Sequence, residues 1–192
     1  TGDLEKTKNL QDAIAASANR SRAAYQSTAD AVSKMGLMAK DAFSVADESG
    51  HKTLNTNELV AFTELLNKQF IIAGTSAQGM EATMTQLTQA MASGVLRGDE
   101  LNSVFEQAPT IIETIANHLG VEMGQVRQLA QEGKITAGVV KAAMLSSADE
   151  IDAKFNSMPY TYAQVATMIQ NILLNAFEPA IQMIGTGAQW IV

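Results

Sequence analysis

The sequence contains no cysteine. Disulfides, thiolate zinc sites and cysteine nucleophiles are therefore excluded, and with them the small disulfide-stapled secreted module. Proline occurs only 3 times and aromatics make up 5% of the 192 residues. That scarcity disfavours a β-sandwich and favours helices packed through small and flexible side chains. Positive charge is short as well: 13 Lys and Arg stand against 20 Asp and Glu, a formal charge of −7, the opposite of a surface built to grip phosphate backbones. Nor is there an unbroken apolar run of membrane length. The most apolar stretch, Ala163 to Val192, is interrupted by Gln164, Gln170, Asn171, Asn175, Glu178 and Pro179, each costly in hydrocarbon without a partner. It reads as a buried or partner-covered helix pair, split at Glu178-Pro179. The chain opens at Thr1 with no apolar signal-peptide core and stops inside an apolar run, which reads as a piece of a longer protein.

What is present is a hydrophobic content of 46%, enough for one ordinary domain or a small domain with an extended helical arm. From Leu4 to Ala46 there is no proline and one internal glycine, Gly36. The positions Ile14, Ala18, Ser21, Tyr25, Thr28, Val32, Met35, Ala39, Ala42 and Ala46 alternate steps of four and three. The spacing is that of a coiled-coil seam, filled with residues too small or polar to drive tight pairing. It predicts one long helix, leaning either on the rest of the chain or on a copy or partner. Asp47 to Asn57 is polar and carries Gly50, so it reads as a break. Asn55 followed by Glu58 then resembles a capping box for a helix over about Thr56 to Ala73, with Leu59, Phe62, Leu66, Phe70 and Ala73 inward and Gly74 as its stop.

Further on, Ser76 can cap a helix whose stripe is Met80, Met84, Leu87 and Met91, ending at Gly94. Asp99 is placed to cap a short helix to Gln107, Pro109 forces a bend, and Thr110 opens a helix with Ile111, Ile112, Ile115 and Leu119 inward, stopped by Gly120. Gln125 to Gln131 makes another, closed by Gly133, and Thr136 caps one carrying Val140, Met144, Ile151 and Phe155 as far as Met158-Pro159. No stretch alternates convincingly as a strand. The expectation is an all-α chain, with a long helical arm over residues 1–47, a linker and helix over 48–75, a compact cluster of short and medium helices over 76–159, and apolar helices over 160–192.

Few residues suggest chemistry. Asp47 to Glu58 has the length of a calcium loop, with Ser49 third and Leu54 eighth. It fails where His51 and Lys52 stand in place of an oxygen ligand and the turn glycine. His51 and His118 are the only histidines and share no zinc or triad spacing. Asp149, Glu150 and Asp152 read as a solvated helix face. Arg97-Gly98-Asp99 matches an adhesion tripeptide by chance, and Gly185-Thr186-Gly187 lacks the lysine of a phosphate loop. Ile112 to Leu119, Gly120-Val121 and Gly124 to Leu129 could form a helix-turn-helix. Yet the charges from Ile111 to Leu145 cancel, leaving no phosphate-gripping surface. No catalytic, cofactor or metal residue emerges.

The segment from Gln86 to Pro109, QLTQAMASGVLRGDELNSVFEQAP, resembles the N-terminal domain of phage tail tape measure proteins. The likeness continues through Ile115-Ala116, Leu119-Gly120-Val121, Gly124, Val126-Arg127, Leu129, Glu132-Gly133 and Ile135-Thr136, then Phe155, Met158-Pro159, Thr161 and Asn171. It covers about half the chain and leaves Thr1 to Ala73 without a comparable signature. The resemblance implies a non-enzymatic virion protein, from a phage or prophage, found in the tail interior and in the host cytoplasm during assembly. It implies a helical ruler around which tube subunits polymerise and which is later ejected ahead of DNA. The implied partners are the tail tube protein, tail assembly chaperones, tail tip or baseplate proteins and further copies through the helices. Nucleic acid is not among them, and membrane contact belongs only to ejection.

Overall fold

The computed structural model describes the backbone of residues 2–187 and the side chains of residues 4–174. Among these residues the all-α expectation holds, apart from one small hairpin. In order the elements are α1 (Gly2–Arg20), α2 (Tyr25–Met38), a 3-10 turn (Lys40–Phe43), β1 (Ser44–Ala46), β2 (Lys52–Leu54), α3 (Thr56–Ile72), α4 (Ala77–Ser93), α5 (Gly98–Gln107), α6 (Pro109–Leu119), α7 (Met123–Gln131), α8 (Ala137–Ser146), α9 (Ala148–Asn156) and α10 (Tyr162–Gly187).

Where one long helix is expected at the N-terminus, the structure has two, α1 and α2, folded against each other and against α3. The seam is the buried face, with Ile14, Ala18, Ser21, Thr28, Val32, Met35 and Ala39 all inside, but it faces its own chain. The turn is hidden in the sequence because Arg22, not glycine, takes the left-handed position at φ 53°. Around it Arg22 N–H donates to Asn19 O at 3.2 Å and Ala23 N–H to Ala18 O at 2.9 Å, the bonding of a Schellman stop. A non-glycine residue in that region costs about 1–2 kcal/mol. The packing of its side chain, described below, offsets that cost.

The polar break is a short antiparallel hairpin, with Ser44 opposite Leu54, Val45 opposite Thr53 and Ala46 opposite Lys52. Three-residue strands are too short for alternation to register in a sequence. Phe43 at the hairpin base is fully buried against Phe62, ring centroids 5.3 Å apart. Helix starts and stops elsewhere fall largely where the residues place them. Asn55, Ser76 and Thr136 accept from the backbone N–H of Glu58, Gly79 and Val139, and Gly94 and Gly120 close α4 and α6 in the left-handed region. Asp99 is a correction: Arg97 occupies the N-cap of α5, and Asp99 lies in the first turn, where a carboxylate still favours the helix dipole. The helix expected from Thr136 breaks at Ser147 into α8 and α9, although Val140, Met144, Ile151 and Phe155 all remain buried. Glu178-Pro179 does not split the last helix, because α10 runs through it. The bias of the residue before proline against helix is a preference that a helix can absorb at the loss of one hydrogen bond.

The core centres on α3, which contacts α1, α2, α6, α8 and α9. Its apolar face, Leu59, Phe62, Leu66 and Phe70, is buried as expected, but so are Thr63 and Gln69 in or beside that face and Glu64 and Lys68 on the opposite side. Each of these polar groups is satisfied. Thr63 Oγ1 donates to Leu59 O, and Gln69 Nε2 donates to Thr114 Oγ1 of α6 at 2.8 Å. Lys68 Nζ sits 2.7 Å from both Glu64 Oε1 and Asp152 Oδ1 of α9, and Arg20 of α1 presents Nε and Nη2 to Glu64, the latter at 2.6 Å. Burial alone would raise the Glu64 carboxyl. The hydrogen bonds and charges of Arg20 and Lys68 outweigh it and hold the group below its ordinary range.

A depressed carboxylate stabilises the fold fully above its unfolded value. That contribution is lost as pH falls from the ordinary 4.5 through the lower folded value. Thermal melts between about pH 6 and pH 3 should show a falling Tm for the native chain. Glu64→Gln should lower stability at neutral pH by about 1–3 kcal/mol, since it leaves buried Lys68 with Asp152 as its remaining counter-charge, and should flatten the acid limb of the profile. An unchanged acid limb in that variant would show that other carboxylates govern the transition.

Candidate functional site

None of the sequence candidates for chemistry is gathered into a site. Asp47 Oδ1 accepts from Ser49 N–H at 2.9 Å, Ser49 Oγ at 2.6 Å and His51 N–H at 2.9 Å. These bonds, the Ser49 hydroxyl first and the His51 amide second, hold its carboxyl below the usual range. It is thus the turn-forming residue of the hairpin. The far end of the would-be calcium loop, Glu58, is ion-paired with Lys141 of α8, while Lys52 meets Asp41. His51 is exposed on the hairpin and His118 ends α6, where its Nδ1 lies 3.1 Å from Ser146 Oγ. Ser146 also donates to Ala143 O, the usual satisfaction of a serine at a helix end. Of the acidic cluster, Asp152 serves Lys68 and Glu150 pairs with Lys154. Gly185-Thr186-Gly187 lies within the backbone of α10.

The helix-turn-helix candidate is α6 followed by α7, and its outward face is poorly suited to phosphate. Arg127, the one cation on α7, lies 4.0 Å over the Phe105 ring and donates to Asn102 Oδ1 at 2.9 Å. Lys134 just beyond is paired with Glu132. Nothing there offers the free cations that DNA binding needs.

The feature that stands apart is α10. It leaves the packed helices after Met158-Pro159 and touches α1. Its root is held by two devices that sequence reasoning did not assign. The first is Asn171, 2% exposed. Its Oδ1 accepts from Tyr25 N–H at 2.9 Å, and its Nδ2 donates to Ala23 O at 2.8 Å and Asn19 Oδ1 at 3.1 Å, so one amide spans the turn between α1 and α2. The second is Arg22, whose guanidinium lies 3.8 Å over the Tyr160 ring and 4.3 Å from the Phe155 centroid. Its Nη1 donates to Met158 O at 3.1 Å. The same turn therefore receives the strand of chain that launches α10.

Apart from Asn171, the described side chains of α10 are mostly exposed and many are apolar. Tyr162 is 98% exposed, and Val165, Ile169, Ile172, Leu173 and Leu174 are between 43% and 59% exposed. Asp, Glu, Lys, Arg and His are all absent between Phe155 and Glu178. A helix that is apolar around most of its circumference belongs in contact with other protein or lipid. Among the described residues no helix is long and apolar enough to cross a membrane. The candidate functional surface is thus a projecting helix, not a catalytic cleft.

A family model described as tape measure protein matches residues 1–182. The chain belongs to the tape measure protein family. Membership gives it a structural role in the phage tail, and the match takes in α1 and α2, for which the sequence pattern alone supplies no signature. Neither the curated proteins nor the solved structures contain a match to the chain.

If Asn171 fixes the root of α10, its replacement should free the helix while leaving the core folded. Asn171→Leu removes all three hydrogen bonds and leaves the Tyr25 amide without this acceptor, a cost of about 1–3 kcal/mol. Asn171→Asp keeps the acceptor but sets a carboxylate against two oxygens. Amide hydrogen exchange should accelerate across residues 162–174 in both variants, with α3 unchanged. Equal protection of α10 in native and variant chains would refute the anchor.

Proposed function

We propose that α1 to α9 form a docking head at the start of a tail ruler, and that α10 is where the measuring helix departs from it. The family match over residues 1–182 carries this reading. α10, continuous from Tyr162 to Gly187 and without a charged residue before Glu178, gives the measuring direction. An α-helix advances about 1.5 Å per residue, so an extended helical protein converts residue count into length. In this reading the tail tube protein polymerises around the extended part and assembly chaperones cover it beforehand. The head meets tail tip or baseplate proteins, and further copies of the chain cover the apolar faces of α10. The protein leaves the tube ahead of the genome.

The segment Leu10 to Ala39, attractive from sequence as a measuring arm, contributes Ile14, Ala18, Val32 and Met35 to the core. It belongs to the head in this reading. Deleting two heptads within it should therefore give no tails, not shorter ones. Inserting one to four in-register heptads after Leu174 should lengthen tails by about 10 Å per heptad, expressed in ring-sized steps. Electron micrographs of assembled tails provide the measurement. Constant tail length across the insertion series would overturn the ruler role of α10, and normal tails after the Leu10 to Ala39 deletion would overturn the head.

A further inference from the structure

Between α2 and α4 runs a groove of about 790 Å³. Its floor is the end of α3, with Phe70 and Ile71. Its α4 wall carries the half-buried Met80 and Met84, and the root of α10 closes it beside Arg22. Two helical walls lined by methionine suit a third helix laid between them, because the flexible thioether side chains adapt to the side chains they receive.

Arg22 gives the groove a chemical preference. It is only 5% exposed, yet among the described residues no carboxylate pairs with it. Its Nη1 is committed to the carbonyls of Met158 and Pro159. Its Nε is buried without a hydrogen-bond partner, and among the described residues Nη2 makes no hydrogen bond either. Arg22 therefore keeps Nε enclosed and leaves Nη2 as its unpartnered donor, fixed between the Phe155 and Tyr160 rings by a turn that accepts a left-handed arginine to place it there. A buried cation without an anion is costly, and a site that leaves it so gains most from a ligand that supplies one.

We propose that this groove docks an amphipathic helix of a partner protein, whose apolar stripe packs on Met80 and Met84 and whose carboxylate, at one end of that stripe, closes on Nη2 of Arg22. In the groove lining Asp30 and Glu81 balance Arg22 and Lys34, so a single carboxylate fits better than a phosphate dianion. The site stands whether or not α10 is part of a ruler, since it needs only the root of that helix and the packed helices around Arg22.

The probe is a pair of acetylated, amidated 14-residue peptides with leucines on one face and lysines on the other. One carries a glutamate at the end of the leucine stripe and the other a glutamine. Each is titrated into the whole 192-residue chain labelled at the methionine methyls and arginine Nε. The glutamate peptide should shift the Met80, Met84 and Arg22 signals and bind about tenfold tighter than the glutamine peptide. Arg22→Gln should abolish that preference. Because this variant also removes the clamp on Tyr160, Met84→Glu supplies a second test away from the turn: it should weaken both peptides about tenfold while leaving the Arg22 signal of the free chain in place. Equal affinities for the two peptides in the native chain would overturn the carboxylate assignment. Shifts confined to other faces, or no shift at about 1 mM peptide, would overturn the docking site itself.

Discussion

The packed helices are organised around one helix, α3, that is buried around most of its circumference and still carries charge. In α3 one side is apolar and the opposite side holds Glu64 and Lys68, one turn apart. Two charges on a single helix satisfy each other only in part, because the carboxylate has acceptor capacity left over and the ammonium has donors to spare. Arg20 from α1 and Asp152 from α9 fill those remaining valences. The result ties the first helix and the ninth to the same central element. Packing by alanine and methionine alone would leave their register loosely specified. Polar bonds of fixed geometry set it: Gln69 to Thr114 reaches α6, and Lys141 to Glu58 reaches α8.

That registration is inherited by the turn between α1 and α2. Once Arg20 is held on Glu64, the next residues close the helix, and Arg22 projects toward Phe155 and Tyr160. The backbone amide and carbonyls around the turn then face Asn171. The direction in which α10 leaves the head thus follows from charge pairing in its interior. The contact is between segments about 150 positions apart, as Asn19 and Asn171 are separated by 152.

These relationships explain which parts of the fold are legible in the sequence. Helix boundaries set by local chemistry can be read directly, because Asn55, Ser76, Thr136, Gly94 and Gly120 act within a few residues of themselves. The seam from Ile14 to Ala39 is also legible as a buried face, but periodicity reports only that a face is covered, not by what. The turn at Arg22 is illegible for a definite reason. Its left-handed conformation is supported by Phe155, Tyr160 and two carbonyls more than 130 residues away, and nothing nearby marks it. The polar side of α3 escapes for the same reason, since Glu64 and Lys68 look like an ordinary exposed i, i+4 pair until α1 and α9 cover them. Of the candidate surface, the apolar character of the last helix is readable, whereas its attachment through Arg22 is not.

The distribution of charge along the chain ties these observations to assembly. Every lysine and arginine, and every acid except Glu178, lies at or before Lys154. The packed helices α1 to α9 therefore carry nearly all the charge, while α10 has a single acid, Glu178, to keep a lone helix in water. Gln164, Gln170, Asn171 and Asn175 are spread along it. Polar amides of this kind are costly in hydrocarbon but ordinary between packed helices, where they hydrogen-bond across the contact as Asn171 already does. Protein is consequently a better cover for this helix than lipid. A helix of that composition gains little from staying free and more from each added neighbour. The contacts of Arg22 and Asn171 meanwhile fix the root of α10 against the charged helices.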